Sequence, residues 1–176
     1  LDRKTKIDGY FKYQNSHENF RTVERLNTIE FNRDWNITST QIKEQQLLTA
    51  GFDVVLNKKG TIGYQFEKLG YGTDFKGDKQ QFSARISSGN WKIFSNSSSM
   101  NNKNDLATTA FYRTQNKIVY GQQNKWIGAK LNLEQNSEKL KTTQQFSALS
   151  QKFIEYGGFL GKGDSTKVFV ELGLLL

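Results

Sequence analysis

The chain contains no cysteine and no proline, and only one histidine and one methionine. Without cysteine there is no disulfide, no thiolate metal site and no cysteine nucleophile, a pattern compatible with a periplasmic or outer-membrane setting. Without proline nothing interrupts a backbone ladder, which favours long strands over a loop-rich body. No run approaches the roughly 18 apolar residues that a membrane helix needs. Nor does Leu1-Asp2-Arg3-Lys4 lead into the apolar core of a signal peptide. Apolar residues are scarce overall, at 35%, where a water-soluble domain approaches about half by a broader count that includes glycine. Aromatic residues nevertheless reach 13%. Few apolar residues with many Phe and Tyr fit strands that are greasy on one side only.

What is present is alternation. In residues 153–161 one set runs Ile154, Tyr156, Gly158, Leu160, against Phe153, Glu155, Gly157, Phe159, Gly161. After the turn-like Lys162-Gly163-Asp164-Ser165-Thr166, Val168, Val170, Leu172 and Leu174 alternate with Lys167, Phe169, Glu171 and Gly173. Residues 47–66 repeat the plan: Leu48, Ala50, Phe52, Val54, Leu56, the turn Asn57-Lys58-Lys59-Gly60, then Ile62, Tyr64, Phe66. A side-chain period of two gives each strand one apolar and one polar face, and short loops make these β-hairpins.

Elsewhere the same format recurs with weaker punctuation. Residues 7–13 alternate, residues 14–19 read as a turn, and residues 21–37 as a strand, with a helix over residues 22–30 as the weaker option. Residues 69–78 are glycine-rich and loop-like, and residues 82–87 and 91–93 flank a turn at Ser88-Gly89-Asn90. The polar run 95–105 reads as a mobile loop. Residues 106–113 and 117–121 pair around a turn at Thr114-Gln115-Asn116. Ile127, Ala129, Leu131 and Leu133 form another apolar set, residues 136–143 a loop or single helical turn, and residues 144–150 a strand or a helix end. The total is roughly nine to twelve strands in a meander.

About ten alternating residues followed by a turn is the format of transmembrane β-barrel strands. Lipid offers no hydrogen bonds, so strands persist there only in a closed ladder, with side chains alternately in lipid and in a polar interior. The expected fold is therefore all-β: an antiparallel up-and-down meander over residues 1–176, forming a transmembrane β-barrel or part of a larger one. Its lipid-facing set is Leu48, Ala50, Phe52, Val54, Leu56, Ile62, Tyr64, Phe66, Ile127, Ala129, Leu131, Leu133, Ile154, Tyr156, Val168, Val170 and Leu172. Its interior-facing set is Gln65, Glu67, Arg85, Lys130, Glu155 and Glu171. Gly51, Gly63, Gly128, Gly157 and Gly173 relieve crowding on the inner side, and Trp35, Tyr64, Tyr71, Trp91, Tyr112, Tyr120 and Tyr156 suit interfacial belts. The alternative is a soluble β-sandwich or open barrel whose apolar faces pack on each other and which binds a ligand or partner protein.

Other chemistry is weakly supported. His17 is the sole histidine, in a polar turn, and no particular Ser and Asp join it as a triad, so no enzyme is expected. One His, no Cys and singly scattered carboxylates give no metal site, and no cofactor is implied. Gly70-Tyr71-Gly72 lacks the Lys-Ser/Thr and the helix of a phosphate cradle. The net charge of +8 comes from 25 Lys and Arg against 17 Asp and Glu. Lys12, Arg21, Arg25, Arg33, Lys92, Arg113, Lys117, Lys125 and Lys130 are interleaved with aromatics, as on a single-strand-binding sheet. They lack a Lys/Arg-Gly-Phe cluster, and walls, loops and protected edges account for them, so nucleic acid is not expected as a partner. Rim lysines could meet anionic lipopolysaccharide phosphates.

The stretch Phe159-Leu160-Gly161-Lys162-Gly163-Asp164-Ser165-Thr166-Lys167-Val168-Phe169-Val170-Glu171-Leu172-Gly173 resembles hairpins of large outer-membrane or cell-surface proteins of the Bacteroidetes. There a Gly-Asp-Ser-Thr-Lys turn joins two strands, the second aromatic-rich. The resemblance implies an outer-membrane location, outer-membrane lipid and further protein subunits as partners, and a role as channel, scaffold or component of a secretion or assembly complex. It implies no catalytic residue, since the shared motif is a turn. The absent Met and the ending Leu174-Leu175-Leu176 suggest a mature or truncated segment whose last strand expects a neighbour.

Overall fold

The computed structural model describes residues 5–17, 19, 35, 37, 43–122, 125–141, 148–162 and 165–175. They form β1 (Thr5–Ser16), β2 (Gln45–Leu56), β3 (Gly60–Tyr71), β4 (Phe75–Ser88), β5 (Trp91–Lys103), β6 (Ala107–Gln122), β7 (Lys125–Leu140), β8 (Ala148–Lys162) and β9 (Ser165–Leu175). Each strand pairs antiparallel with the next, giving one nine-stranded up-and-down meander among the described residues. No ladder joins β1 to β9 among those residues, so the sheet is not closed into a barrel.

The hairpin turns have local causes. A 3-10 turn at Asn57–Lys59 links β2 to β3. Between β4 and β5 the loop is Gly89-Asn90 alone, and Gly89 supplies φ +57° at its first position. That backbone suits glycine and matches the twist of the flanking strands, as in a type II′ hairpin. In the β5–β6 loop, Asn104 Oδ1 accepts from the Leu106 and Ala107 amides at 2.9 and 2.7 Å. The turns are also staggered. Gly60 pairs with Ile86 while β4 runs on to Ser88, and Trp91 pairs with Tyr120 while β6 runs on to Gln122. The β4–β5 turn thus lies beyond the β2–β3 turn along the strands, and the β6–β7 turn beyond the β4–β5 turn.

Several strands run further than their sequences suggest. Residues 95–103, expected to be a mobile loop, continue β5 without a break. Their polar side chains find partners across the ladders: Ser95 Oγ donates to Asn116 Oδ1 at 2.7 Å, and the Ser97 and Thr114 hydroxyls lie 2.7 Å apart. Asn101 Nδ2 donates to Asp78 Oδ2 at 3.1 Å. Residues 114–116, expected to turn, lie within β6, and residues 136–140 lie within β7 rather than in a loop or helical turn. The glycine-rich loop contracts to residues 72–74 between β3 and β4, and β1 extends to Ser16. With a strand hydrogen-bonded on each side, the ladder overrides local polarity. Most of the expected 21–37 strand lies outside the described residues, as do residues 142–147.

One buried cluster exists among the described residues: Trp35, Ile37, Leu69, Tyr71 and Phe75, with Leu47 and Met100 packed against it. Trp35 is 3% exposed, and its carbonyl accepts from Asn102 Nδ2 at 2.6 Å. Beneath it Gly77 is bare, and a Cβ there would meet the indole at 3.0 Å. The expectation that Trp35 and Tyr71 occupy an exposed interfacial belt is therefore corrected. Both are buried on the side of the sheet that also carries Gln65 and Glu67.

Candidate functional site

In an antiparallel ladder directly opposed residues share a face, so the registers sort every strand position onto one side or the other. Val54, Phe52 and Ala50 oppose Ile62, Tyr64 and Phe66, which places Leu48 and Leu56 on the same side. Carried across, Ile62–Ala84–Ser95–Asn116–Leu131–Tyr156–Leu172 is one row of that side. Ile127, Ala129, Leu133, Ile154, Val168 and Val170 lie beside it on the same face. The whole set read as lipid-facing is thus brought to one face. Ile127 is 59% exposed and Val170 60%. No second sheet or packed helix covers this face among the described residues.

The apolar band narrows over β5 and β6. There Ser95, Ser97, Thr114 and Asn116 occupy positions that Ala84 and Phe82 hold on one side and Leu131 and Leu133 on the other. These four side chains satisfy one another, since Asn116 Nδ2 also donates to Thr114 Oγ1 at 3.0 Å. Mutual pairing lowers the cost of polar groups in an apolar surround.

The opposite face carries the charge. Gln65, Glu67, Arg85, Lys130 and Glu155 all fall on it, and Glu171 takes the backbone position opposite Gly157, itself the partner of Lys130. Two neighbouring rows are chemically distinct. The first is Thr61–Arg85–Phe94–Lys117–Lys130, the second Gly63–Ser83–Asn96–Gln115–Asn132–Glu155. The first brings three cations onto three strands, the second lines up neutral hydrogen-bonding groups from Ser83 to Asn132 and ends on the Glu155 carboxylate. All of them but Gly63 and Glu155 line a cavity of about 500 Å³ reaching from β3 to β7. Five strands, spaced about 4.8 Å apart, share this cavity, as they would on the inner side of a curled sheet.

Glycines report the same curvature. On the charged face a Cβ on Gly51 would stand 2.5 Å from Tyr10 Oη, and one on Gly63 2.6 Å from Asp53 Oδ1. On the apolar face Gly9 and Gly158 have nothing nearer than 3.9 Å. Crowding over the glycines of one side and open space over those of the other are what a sheet curled toward its charged, concave face would show.

Its pairs are specific. Arg113 donates from Nε and Nη2 to Glu134 Oε2 at 2.9 and 2.6 Å. Lys130 Nζ donates to Glu155 Oε1 at 3.1 Å, and Asn132 Nδ2 donates to Glu155 Oε2. Tyr10 Oη donates to Gln65 Oε1, and Gln65 Nε2 to Glu67 Oε1, both at 2.9 Å. At the β3–β4 turn, Lys43 Nζ donates to both oxygens of Asp74 at 2.8 and 2.6 Å. That hydrogen bond, helped by Asp74's own amide and the lysine charge, holds the Asp74 carboxyl below its usual range. Among the described residues no three His, Asp or Glu gather as a metal site. His17 stands beyond the end of β1, where its Nδ1 accepts from the Asn19 amide at 3.3 Å.

Lys117, Asn96, Gln115 and Asn132 are the residues that sequence reasoning did not bring to this site. A turn placed at residues 114–116 broke the alternation between Arg113 and Lys117, which β6 in fact carries unbroken. Compared with known protein families, curated proteins and solved structures, the chain matches none of them.

Proposed function

We propose that this chain is an outer-membrane β-barrel wall, or part of one, acting as a channel, a scaffold or a component of a secretion or assembly complex. One observation carries the reading: a nine-stranded meander with one face apolar and uncovered among the described residues and the other charged and crowded. A hydrocarbon surround makes that distribution favourable, since water would penalise the exposed band. The Trp91–Tyr120 pair at 4.6 Å near one end of the band and the Bacteroidetes-like hairpin fit the same picture. The cluster around Trp35 then sits inside the wall at the opposite end.

Nine consecutive antiparallel strands leave β1 and β9 running in the same direction. Antiparallel closure therefore takes an odd number of further strands, from the same polypeptide or a partner subunit, which supports the expectation of a larger assembly. The absence of cysteine makes the test clean. Single cysteines at Val54 and at Gln65 are labelled in vesicles with a membrane-confined and a water-soluble maleimide. The reading expects opposite reagent preferences at the two sites, together with a need for detergent and heat-modifiable migration on a gel. Purification without detergent, with both sites taking the aqueous reagent, would favour the soluble β-sandwich instead.

A further inference from the structure

The concave face holds an arrangement that fold stability does not require. Lys117 and Lys130 oppose each other directly across the β6–β7 ladder. Like charges in that position repel, and a sheet gains nothing from them. Lys130 is compensated by Glu155. Lys117 and Arg85 reach no carboxylate among the described residues; each instead holds its charge against an aromatic ring. Lys117 Nζ lies 4.7 Å from the Phe159 centroid and Arg85 Cζ 5.7 Å from the Phe94 centroid. An aromatic face positions a cation without neutralising it. Arg85 and Lys117 therefore present positive charge to the same cavity, which the Glu155-paired Lys130 also lines, beside the amides of Asn96, Gln115 and Asn132 and the Ser83 hydroxyl.

We propose that this cavity binds a small oxyanion, the phosphate, sulfate or carboxylate group of a solute. Arg85 supplies a planar fork and Lys117 a point charge, the two geometries that oxyanions accept. Ser83, Asn96 and Gln115 beside them offer further donors. A volume of about 500 Å³ leaves room for a solute larger than the anion itself. Rings of Arg and Lys serve this purpose in anion-selective pores. The inference rests on the reading above only in making the concave face a lumen.

The test titrates the full chain, purified in detergent, with inorganic phosphate at constant ionic strength, chloride serving as the reference salt. Binding is read from phosphorus resonance broadening and from the backbone amide shifts of Arg85 and Lys117. The expected result is saturable binding that Arg85→Gln or Lys117→Gln weakens about tenfold or more. Lys152→Gln, an equal loss of charge on the other face, leaves it unchanged. Glu155→Gln, which releases Lys130, tightens it. No saturation beyond the chloride response, or an equal effect of the Lys152 change, would overturn the site. Amide spectra of each variant separate lost binding from lost folding. A chain that needs no detergent yet binds phosphate through Lys117 would leave the site standing and remove the membrane reading.

Discussion

The ring of Phe159 lies over the bare backbone of Gly128, its direct partner across the β7–β8 ladder. Phe159 is only 7% exposed, wedged by Trp126 at 5.6 Å between ring centroids and by the Lys117 ammonium. A methyl group on Gly128 would overlap that ring and stand 2.7 Å from the Ile118 carbonyl oxygen. Backbone cannot step aside as a side chain can. Gly128→Ala is expected to destabilise by about 1–3 kcal/mol. Gly158→Ala, on the open face with nothing nearer than 3.9 Å, is expected to be neutral or slightly stabilising. Urea unfolding from detergent or vesicles checks the contrast, which would vanish if Phe159 did not lie over Gly128.

The two faces also predict where charge is tolerated. Val54 belongs to the apolar face and Gln65 to the charged one. Val54→Arg is expected to cost about 2–4 kcal/mol if that site lies near the bilayer midplane, and less toward its rim. Gln65→Arg should be accepted beside Glu67. Reversible folding into vesicles measures both, and equal costs would argue against the assignment of faces.

Trp35 anchors the chain between β1 and β2 onto the concave face, through the cluster with Leu69, Tyr71 and Phe75. Trp35→Ala is expected to cost about 3–5 kcal/mol, as for other buried aromatics. The Asn102 side-chain amide donates to the residue 35 carbonyl, which alanine keeps, so faster exchange of that amide would report release of the segment itself. The outcome to set against this is a change no larger than that of a surface substitution.

Acid should loosen one defined latch. Asp74 is held below its ordinary pKa by the Lys43 hydrogen bond, so the unfolded chain binds its proton more readily than the folded one. The contribution is fully present above the unfolded value of about 3.9 and disappears as pH falls through the lower folded value. The Gly72 amide, which donates to the Glu44 carbonyl at 2.7 Å beside this pair, is the reporter. Its exchange protection factor is expected to drop in that window, and Asp74→Asn should remove the pH dependence.

Much of the fold was legible because alternation is local. In residues 47–66 and 153–175 each apolar side chain sits two positions from the next, and the turns are marked by Gly, Asn, Asp and Lys. Those hairpins stand where the pattern placed them, apart from turn residues 163 and 164, which lie outside the described residues. Residues 95–103 failed the same reading, since serine and asparagine carry no periodic signal. They are strand because β4 and β6 supply ladders on both sides. Trp35 misled for a related reason: a tryptophan near polar residues suits a belt and a buried plug equally well.

The sequence by itself determined that this is an antiparallel meander with one greasy and one charged side per strand, because a period of two is written residue by residue. Which strands continue through polar runs, and that Arg85, Lys117 and Lys130 share one concavity, was decided only by tertiary structure. Register and curvature are relations between strands many residues apart. The Lys117–Lys130 opposition exists because β6 and β7 pair in one particular register, and a shift of one residue would send each lysine to face a residue of the other side.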